Sequence, residues 1–203
     1  SLIKGLSESL FFYKLKFENF EQTWDTKFGN EIFESVSDKN HDSSYPILAI
    51  TQQYGAIPRS LIDYNVTVTE KSVENYKLVK IGEFIISLRS FQGGIEYSNY
   101  IGICSPAYIV LRPLIPINRI FYKYYLKTSR YIAELNKNLE GIRDGKMISY
   151  KQFSEIALPY PTIPEQNKIA NTLAAVDARL ELEKSLLLKY NEQKQYLLDS
   201  LFI

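Results

Sequence analysis

In 203 residues the chain has one cysteine, one histidine, one methionine and one tryptophan. A lone Cys104 can form no intrachain disulfide. With His41 as the sole histidine, these residues assemble neither a Cys/His zinc cluster nor a histidine-based catalytic triad. Also missing are a Gly-rich cofactor loop after a strand, a Walker-type phosphate loop and an Asn-Pro-Pro-Tyr-like motif of the kind amino-methylating enzymes carry. No catalytic residue, metal or cofactor is therefore expected, and carboxylate-only metal chemistry stays open without support. The sequence shows no charged-then-apolar leader and no apolar run of membrane-spanning length, so it reads as cytosolic with no membrane partner. It opens on Ser1 rather than Met, inside a helix-like stretch, which suggests a fragment. An excess of charge is lacking too. The 24 basic and 23 acidic residues give +1, and 19 basic against 17 acidic precede Ile163, so any basic patch must be local.

What is present is apolar and aromatic: 45% hydrophobic residues, with 16 Tyr and 11 Phe. That is enough for one folded domain plus an appended element. Leu2, Leu6, Leu10 and Phe11 recur at helical spacing, so residues 1–16 read as a helix remnant or linker. Trp24, Phe28 and Ile32 lie four apart and suggest one face of a short helix. From Tyr45 to Arg112 the runs YPILAI, LVKIGEFIISL and AYIVLR read as strands separated by the turns QYGAIPRS and SFQGGIEYSN. Asn118 N-caps an expected helix, INRIFYKYYLKTSRYIAEL, with Ile120, Phe121 or Tyr124, and Tyr131 facing inward. NKNLEGIRDGKM reads as an exposed loop, followed by a Ser149-capped turn and a strand, EIALPYP. Together these assign residues 17–161 to one α+β domain built on a mixed β-sheet with short helices.

Residues 162–203 carry the clearest signal. Thr162-Ile-Pro-Glu165 is a capping-box pattern with Pro in the first turn, and no Gly or Pro follows it. Ile169, Leu173, Val176, Leu180, Leu187, Tyr190, Leu197 and Leu201 recur in steps of four and three, a coiled-coil seam that also takes in Glu183 and Lys194. A helix from Ile163 to about Ser200 would extend on the order of 55 Å at about 1.5 Å per residue, too long to lie on a small domain, so it should project and meet a partner helix.

LPYPTIPEQNKIANTLAAVDARLELEKSLLLKYNEQKQYLLDSLF resembles the region that ends the specificity subunits of type I restriction-modification systems. The likeness rests on its Pro-flanked strand, Glu165-Gln166, Ile169-Ala170, Asp177 and the closing Lys-Gln and Leu-Leu pairs. LKFENFEQTW resembles the opening of a target-recognition domain of that family, and ISLRSFQGGIEYSNYIGICSPAYIVLRP its central segment. An intact subunit of the family holds two recognition domains and two helices, so this chain resembles the second half. The resemblance implies a non-catalytic bacterial or archaeal subunit that binds double-stranded DNA and directs methyltransferase (M) and restriction (R) subunits to a split target. A half-length chain would form a homodimer through the long helix.

For base reading, exposed Arg and Gln are the residues with matching donors and acceptors. The first candidates are Arg89, Ser90 and Gln92, beside Gly93 and Gly94, whose small size would let the backbone approach a phosphate. Arg143 and Lys146 in the polar loop, and Gln53, Tyr54 and Arg59 after a strand, are the second and third groups. For each, a solvated or packed surface turn is the competing reading. Glu165, Gln166 and Asp177 either touch the methyltransferase subunit or serve capping and solubility. The seam residues Ile169, Leu173, Val176, Leu180, Leu187, Tyr190 and Leu197 are assigned to the subunit interface. Two rival functions remain: a protein–protein scaffold, which the weak net charge favours, and the recognition tail of a fused restriction-methylation enzyme.

Overall fold

A computed structural model describes residues 2–12, 17, 23–41, 44–62, 73–137 and 148–201. Helix α1 (Leu2–Phe11) is followed by β1 (Asp25–Phe28), the single turn α2 (Gly29–Ile32) and β2 (Phe33–Val36). The β-rich part contains β3 (Leu48–Thr51), β4 (Gly55–Pro58), β5 (Lys77–Val79), β6 (Phe84–Ile86), α3 (Ser90–Gly93), β7 (Glu96–Tyr97), β8 (Gly102–Cys104) and β9 (Ile109–Pro113). Then come α4 (Arg119–Tyr125), α5 (Ser129–Lys137), α6 (Tyr150–Ser154), β10 (Ala157–Tyr160) and α7 (Ile163–Leu201). This is the α+β class expected. The strands pair antiparallel, and among the described residues parallel pairing is confined to two isolated bridges, Ile47 to Ile103 and Ala56 to Ser98. Among the described residues no helix is long and apolar enough to cross a membrane.

A four-stranded sheet, in the order β2-β9-β6-β7, divides two hydrophobic cores. Its central strand β6 is Phe-Ile-Ile and fully buried, the continuous apolar run expected of a strand covered on both faces. Alternation sends Phe84 and Ile86 into the main core with the helices, and Ile85 into a smaller core with Leu48, Ala56, Val79, Cys104 and Val110. Aromatic edges interlock in the main core: Phe33 meets Phe84 at 5.3 Å and Tyr122 at 5.4 Å, and Phe11 meets Phe121 at 5.1 Å. Two tyrosine hydroxyls at this core reach backbone carbonyls. Tyr122 donates to the Pro159 carbonyl at 2.7 Å and Tyr150 to that of Phe33 at 2.8 Å.

The main core crosses both expected segment boundaries. Leu10 and Phe11 of α1 and Ile169, Ala170 and Leu173 of α7 are buried in it, so the inner ends of segments 1–16 and 162–203 pack with residues 17–161. At the α7 start Thr162 Oγ1 accepts the Glu165 N–H at 3.4 Å, as a capping box requires. The Glu165 carboxylate does not return to the cap; it accepts the Trp24 indole N–H at 2.8 Å.

Four local expectations are corrected. LVKIGEFIISL is not one strand but β5 and β6, which lie in different sheets and are parted by a turn with Gly82 at φ +86°, and QYGAIPRS, expected as a turn, contains β4, which pairs with β3. Trp24, Phe28 and Ile32 do not share a helix face: residues 25–28 form β1, paired with β10 from Asp25–Tyr160 to Phe28–Ala157, and Phe28 is 53% exposed. The strand partner overrides the four-residue spacing. The helix foreseen from Asn118 is broken into α4 and α5. Asn118 does cap α4, accepting from the Ile120 and Phe121 amides, but Thr128 Oγ1 donates to the Tyr125 carbonyl at 2.8 Å and accepts the Tyr131 amide at 3.3 Å. A threonine side chain thus closes one helix and opens the next.

Helix α7 runs 39 residues, close to its expected length, and does not lie flat. Val176, Asp177 and Leu180 are half-buried, and every residue from Glu181 to Leu201 is exposed. The projecting part carries Leu187 at 60%, Tyr190 at 64% and Leu197 at 48% exposure.

Candidate functional site

The β3–β4 hairpin positions the first group of side chains. Thr51 Oγ1 accepts the Tyr54 amide at 3.0 Å and donates to the Gly55 carbonyl at 3.2 Å, closing the turn. Gly55 has φ +70°, and a Cβ there would lie 2.7 Å from the Tyr97 carbonyl oxygen, so only glycine fits this close approach to β7. The turn holds Gln52, Gln53 and Tyr54 exposed, with Gln53 Nε2 donating to the Tyr54 hydroxyl at 2.9 Å.

The second group sits on the turn from Ser87 to Gly94. Ser90 is buried and structural: its Oγ accepts the Ser87 amide at 2.8 Å, and its carbonyl accepts the Gly94 amide at 2.9 Å. Gly94, at φ +81°, lies where a Cβ would be 2.1 Å from the Leu126 carbonyl oxygen, and a Cβ on Gly93 would meet the Gln52 side chain at 2.6 Å. Ser90, Gly93 and Gly94 were expected to face DNA. Ser90 and Gly94 instead point inward and Gly93 packs on Gln52, because the sharp turn spends its small residues on close internal packing. Their consequence for the site is indirect: Arg89 and Gln92 remain exposed on a turn pinned from behind. Asn136 Nδ2 of α5 adds a further anchor, donating to the Phe91 carbonyl at 2.7 Å.

The contact of Gly93 with Gln52 brings the two turns together. They border a groove of about 520 Å³ lined by Gln52, Gln53, Tyr54, Arg59, Leu88 and Arg89, with Glu96 at its base. Arg59 is half-buried in the wall, its amide donating to the Ile47 carbonyl at 2.9 Å. Arg89 makes no ion pair among the described residues. Arg143 and Lys146 lie outside the described residues.

Glu96 is buried and paired with Lys127, in the turn between α4 and α5. Burial pushes the Glu96 carboxyl above its usual range and the Lys127 ammonium below its own, each opposed by the other's charge. The second carboxylate oxygen, Oε2, has no hydrogen-bond partner among the described residues. This pair, 31 residues apart in sequence, had no local signal by which it could be foreseen.

On α7, four residues assigned to a subunit interface belong to the chain's own packing. Glu165 accepts from Trp24. Gln166 accepts the Asn118 amide at 2.8 Å and donates to the Pro161 carbonyl at 2.8 Å, while Ile169 and Leu173 are core residues. The first turns of any projecting helix must anchor somewhere, and here the domain's own apolar surface covers them. Asp177 accepts the Tyr124 hydroxyl at 3.0 Å. Leu187, Tyr190 and Leu197 stay available to a partner; Val176 and Leu180 lie at the transition.

A family model described as the type I restriction modification DNA specificity domain matches residues 21–190. The chain belongs to that family. The fold of this specificity domain is similar to that of the HsdS subunit from Thermoanaerobacter tengcongensis, with a TM-score of 0.53, 18% identity and coverage of 91% of this chain and 44% of that one. It is similar also to the type I restriction-modification S subunit from M. genitalium, with a TM-score of 0.59, 18% identity and coverage of 93% and 50%. A third match, to a structure described as the basis of complex assembly and conformational transition of the type I R-M system, has a TM-score of 0.59, 18% identity and coverage of 96% and 49%. The specificity domain thus spans about half the length of the solved chains it matches.

Proposed function

We propose that this specificity domain reads one half of a split double-stranded DNA target and directs methyltransferase and restriction subunits to it, without performing catalysis itself. The observation that carries the reading is the convergence of two turns far apart in sequence, Gln52–Tyr54 and Ser87–Gly94, on one groove with Gln53, Tyr54, Arg59 and Arg89 along it and Gln92 beside it. Glutamine and arginine are the side chains whose paired donors and acceptors match adenine and guanine edges in the major groove. A rigid hairpin and a glycine-pinned turn hold them with little ordering left for binding.

Two copies pair through the exposed apolar stripe of α7, Leu187, Tyr190 and Leu197. A two-fold pair presents two identical readers and favours a palindromic split site. The near-neutral charge favours a protein scaffold instead, and salt separates the two: binding through phosphates weakens steeply with added salt, an apolar protein contact does not. The test reconstitutes the chain with the methyltransferase subunit from the same source and maps methylated positions in a random DNA library by single-molecule sequencing. One split motif with identical halves is expected. No methylation, together with no salt-sensitive DNA binding, would move the function to the scaffold.

A further inference from the structure

Behind the Gln52–Tyr54 turn lies a second groove, of about 620 Å³, between α1, α4 and the middle of α7. Gln52, Gln53 and Tyr54 border both grooves, so a ligand lying along the first passes directly over the rim of the second. Four lysines line it: Lys4, Lys123, Lys127 and Lys184. Three carboxylates, Glu96, Asp177 and Glu181, also line it, and each is engaged. Glu96 holds Lys127, Glu181 holds Lys184 at 2.5 Å, and Asp177 takes the Tyr124 hydroxyl. Lys4 and Lys123 pair with no carboxylate among the described residues. The Lys123 ammonium is held 5.3 Å from the Tyr124 ring centre and 5.9 Å from that of Tyr97, contacts that fix its position without neutralising it. Tyr124 is in turn fixed by Asp177, so a residue of α7 helps set the geometry of a cation on α4.

We propose that this second groove holds the phosphodiester backbone of the DNA strand whose bases face the first, with Lys4 and Lys123 as its phosphate ligands. The inference rests on the DNA-reading function proposed above and adds the residues that position the duplex without reading it. Positioning cations carry no base information, so their loss weakens every sequence alike, whereas loss of a base-reading arginine weakens discrimination. The site also offers local positive charge in a chain of +1 net charge: its four lysines exceed its three carboxylates by one, and Lys4 and Lys123 are the two that no salt bridge holds among the described residues.

The test compares wild type with a Lys4→Gln/Lys123→Met double variant, each assembled with the methyltransferase subunit. The probes are a duplex carrying the methylated motif and an unrelated duplex, each titrated at several salt concentrations. Methionine keeps an aliphatic stem over the two tyrosine rings, and thermal melting checks that the fold is retained. Losing two phosphate contacts in each of the two paired copies lowers the slope of log affinity against log salt by about 3.6, so between about 50 and about 200 mM salt wild-type affinity falls about 150-fold more than that of the variant. The effect should be equal on both duplexes, the methylated motif should be unchanged, and Lys123→Arg should restore most of its share. An unchanged slope in the double variant, with a salt-dependent wild type, overturns the groove assignment and leaves DNA reading standing. A wild type without salt dependence overturns the DNA reading itself. Loss of assembly with the methyltransferase subunit at an unchanged salt slope would assign the groove to a protein partner and overturn the proposal.

Discussion

Substituting Gly94 with alanine should destabilise the domain and blur its DNA selectivity together. The residue has φ +81° and ψ −167°, a region that side-chain-bearing residues occupy at a cost of order 1–3 kcal/mol. Its added Cβ would sit 2.1 Å from the Leu126 carbonyl oxygen, a backbone atom that cannot swing aside, so the turn must move by about an ångström to restore ordinary contact. Overpacking of that kind adds about 1–3 kcal/mol, giving an expected loss of at least ~2 kcal/mol. For a chain of this size that is a fall in Tm of roughly 4–8 °C, and in urea a lower midpoint with an unchanged slope. Gly5→Ala is the internal control: a Cβ there meets nothing within 4 Å, and in the α1 interior alanine should stabilise by about 0.5–1 kcal/mol. Because the Gly94 amide closes the turn that carries Arg89 and Gln92, the variant should also tolerate more base changes in its target. A loss below ~0.5 kcal/mol would refute the close-packing account of this turn.

Two further predictions concern other parts of the molecule. Leu187→Glu with Tyr190→Glu should leave the melting temperature of the separated chain unchanged, since both side chains are solvent-exposed, yet abolish self-association in sedimentation; dimers that survive would place the contact elsewhere. Burial pushes the Cys104 thiol from 9.0 up to about 12 and the Tyr125 phenol up to about 12, and raises the Tyr122 and Tyr131 phenols as well. The unfolded chain releases these protons first. The stability they contribute is therefore complete below about pH 9 and lost as pH rises toward 12, and Cys104 in the native chain should resist thiol reagents at pH 8 until denaturant is added. Rapid labelling of the native protein would contradict the burial.

The parts of this architecture legible in the sequence are those fixed by local chemistry. Thr162 to Glu165 marks the start of α7, Ser149 with Gln152 the start of α6, Asn118 the start of α4, and the apolar run at residues 84–86 a strand buried on both faces. What was not legible depends on pairing across the fold. Trp24 to Phe28 has helical spacing but is claimed by β10, and Glu165 and Gln166 look like surface residues of a first turn until Trp24 and Asn118 are seen against them. The same holds for the site. Arg89, Gln92, Gln53 and Tyr54 were identifiable as exposed turn residues, but their meeting across the Gly93–Gln52 contact was not. Nor was the use of Ser90 and Gly94 for internal closure, which a glycine pair next to polar residues does not reveal. The lysines of the second groove carry no motif, since Lys4, Lys123 and Lys184 come from three helices.

The central claim is that the paired turns read bases, and the most direct measurement compares the methylation motifs written by complexes containing wild type, Arg89→Ala or Gln53→Ala. The account predicts that each variant relaxes the motif at one or two adjacent positions of each half-site, at a cost of about 1–3 kcal/mol in discrimination, with the spacing between half-sites unchanged. Motifs identical to wild type at every position, from complexes that still methylate, would contradict it.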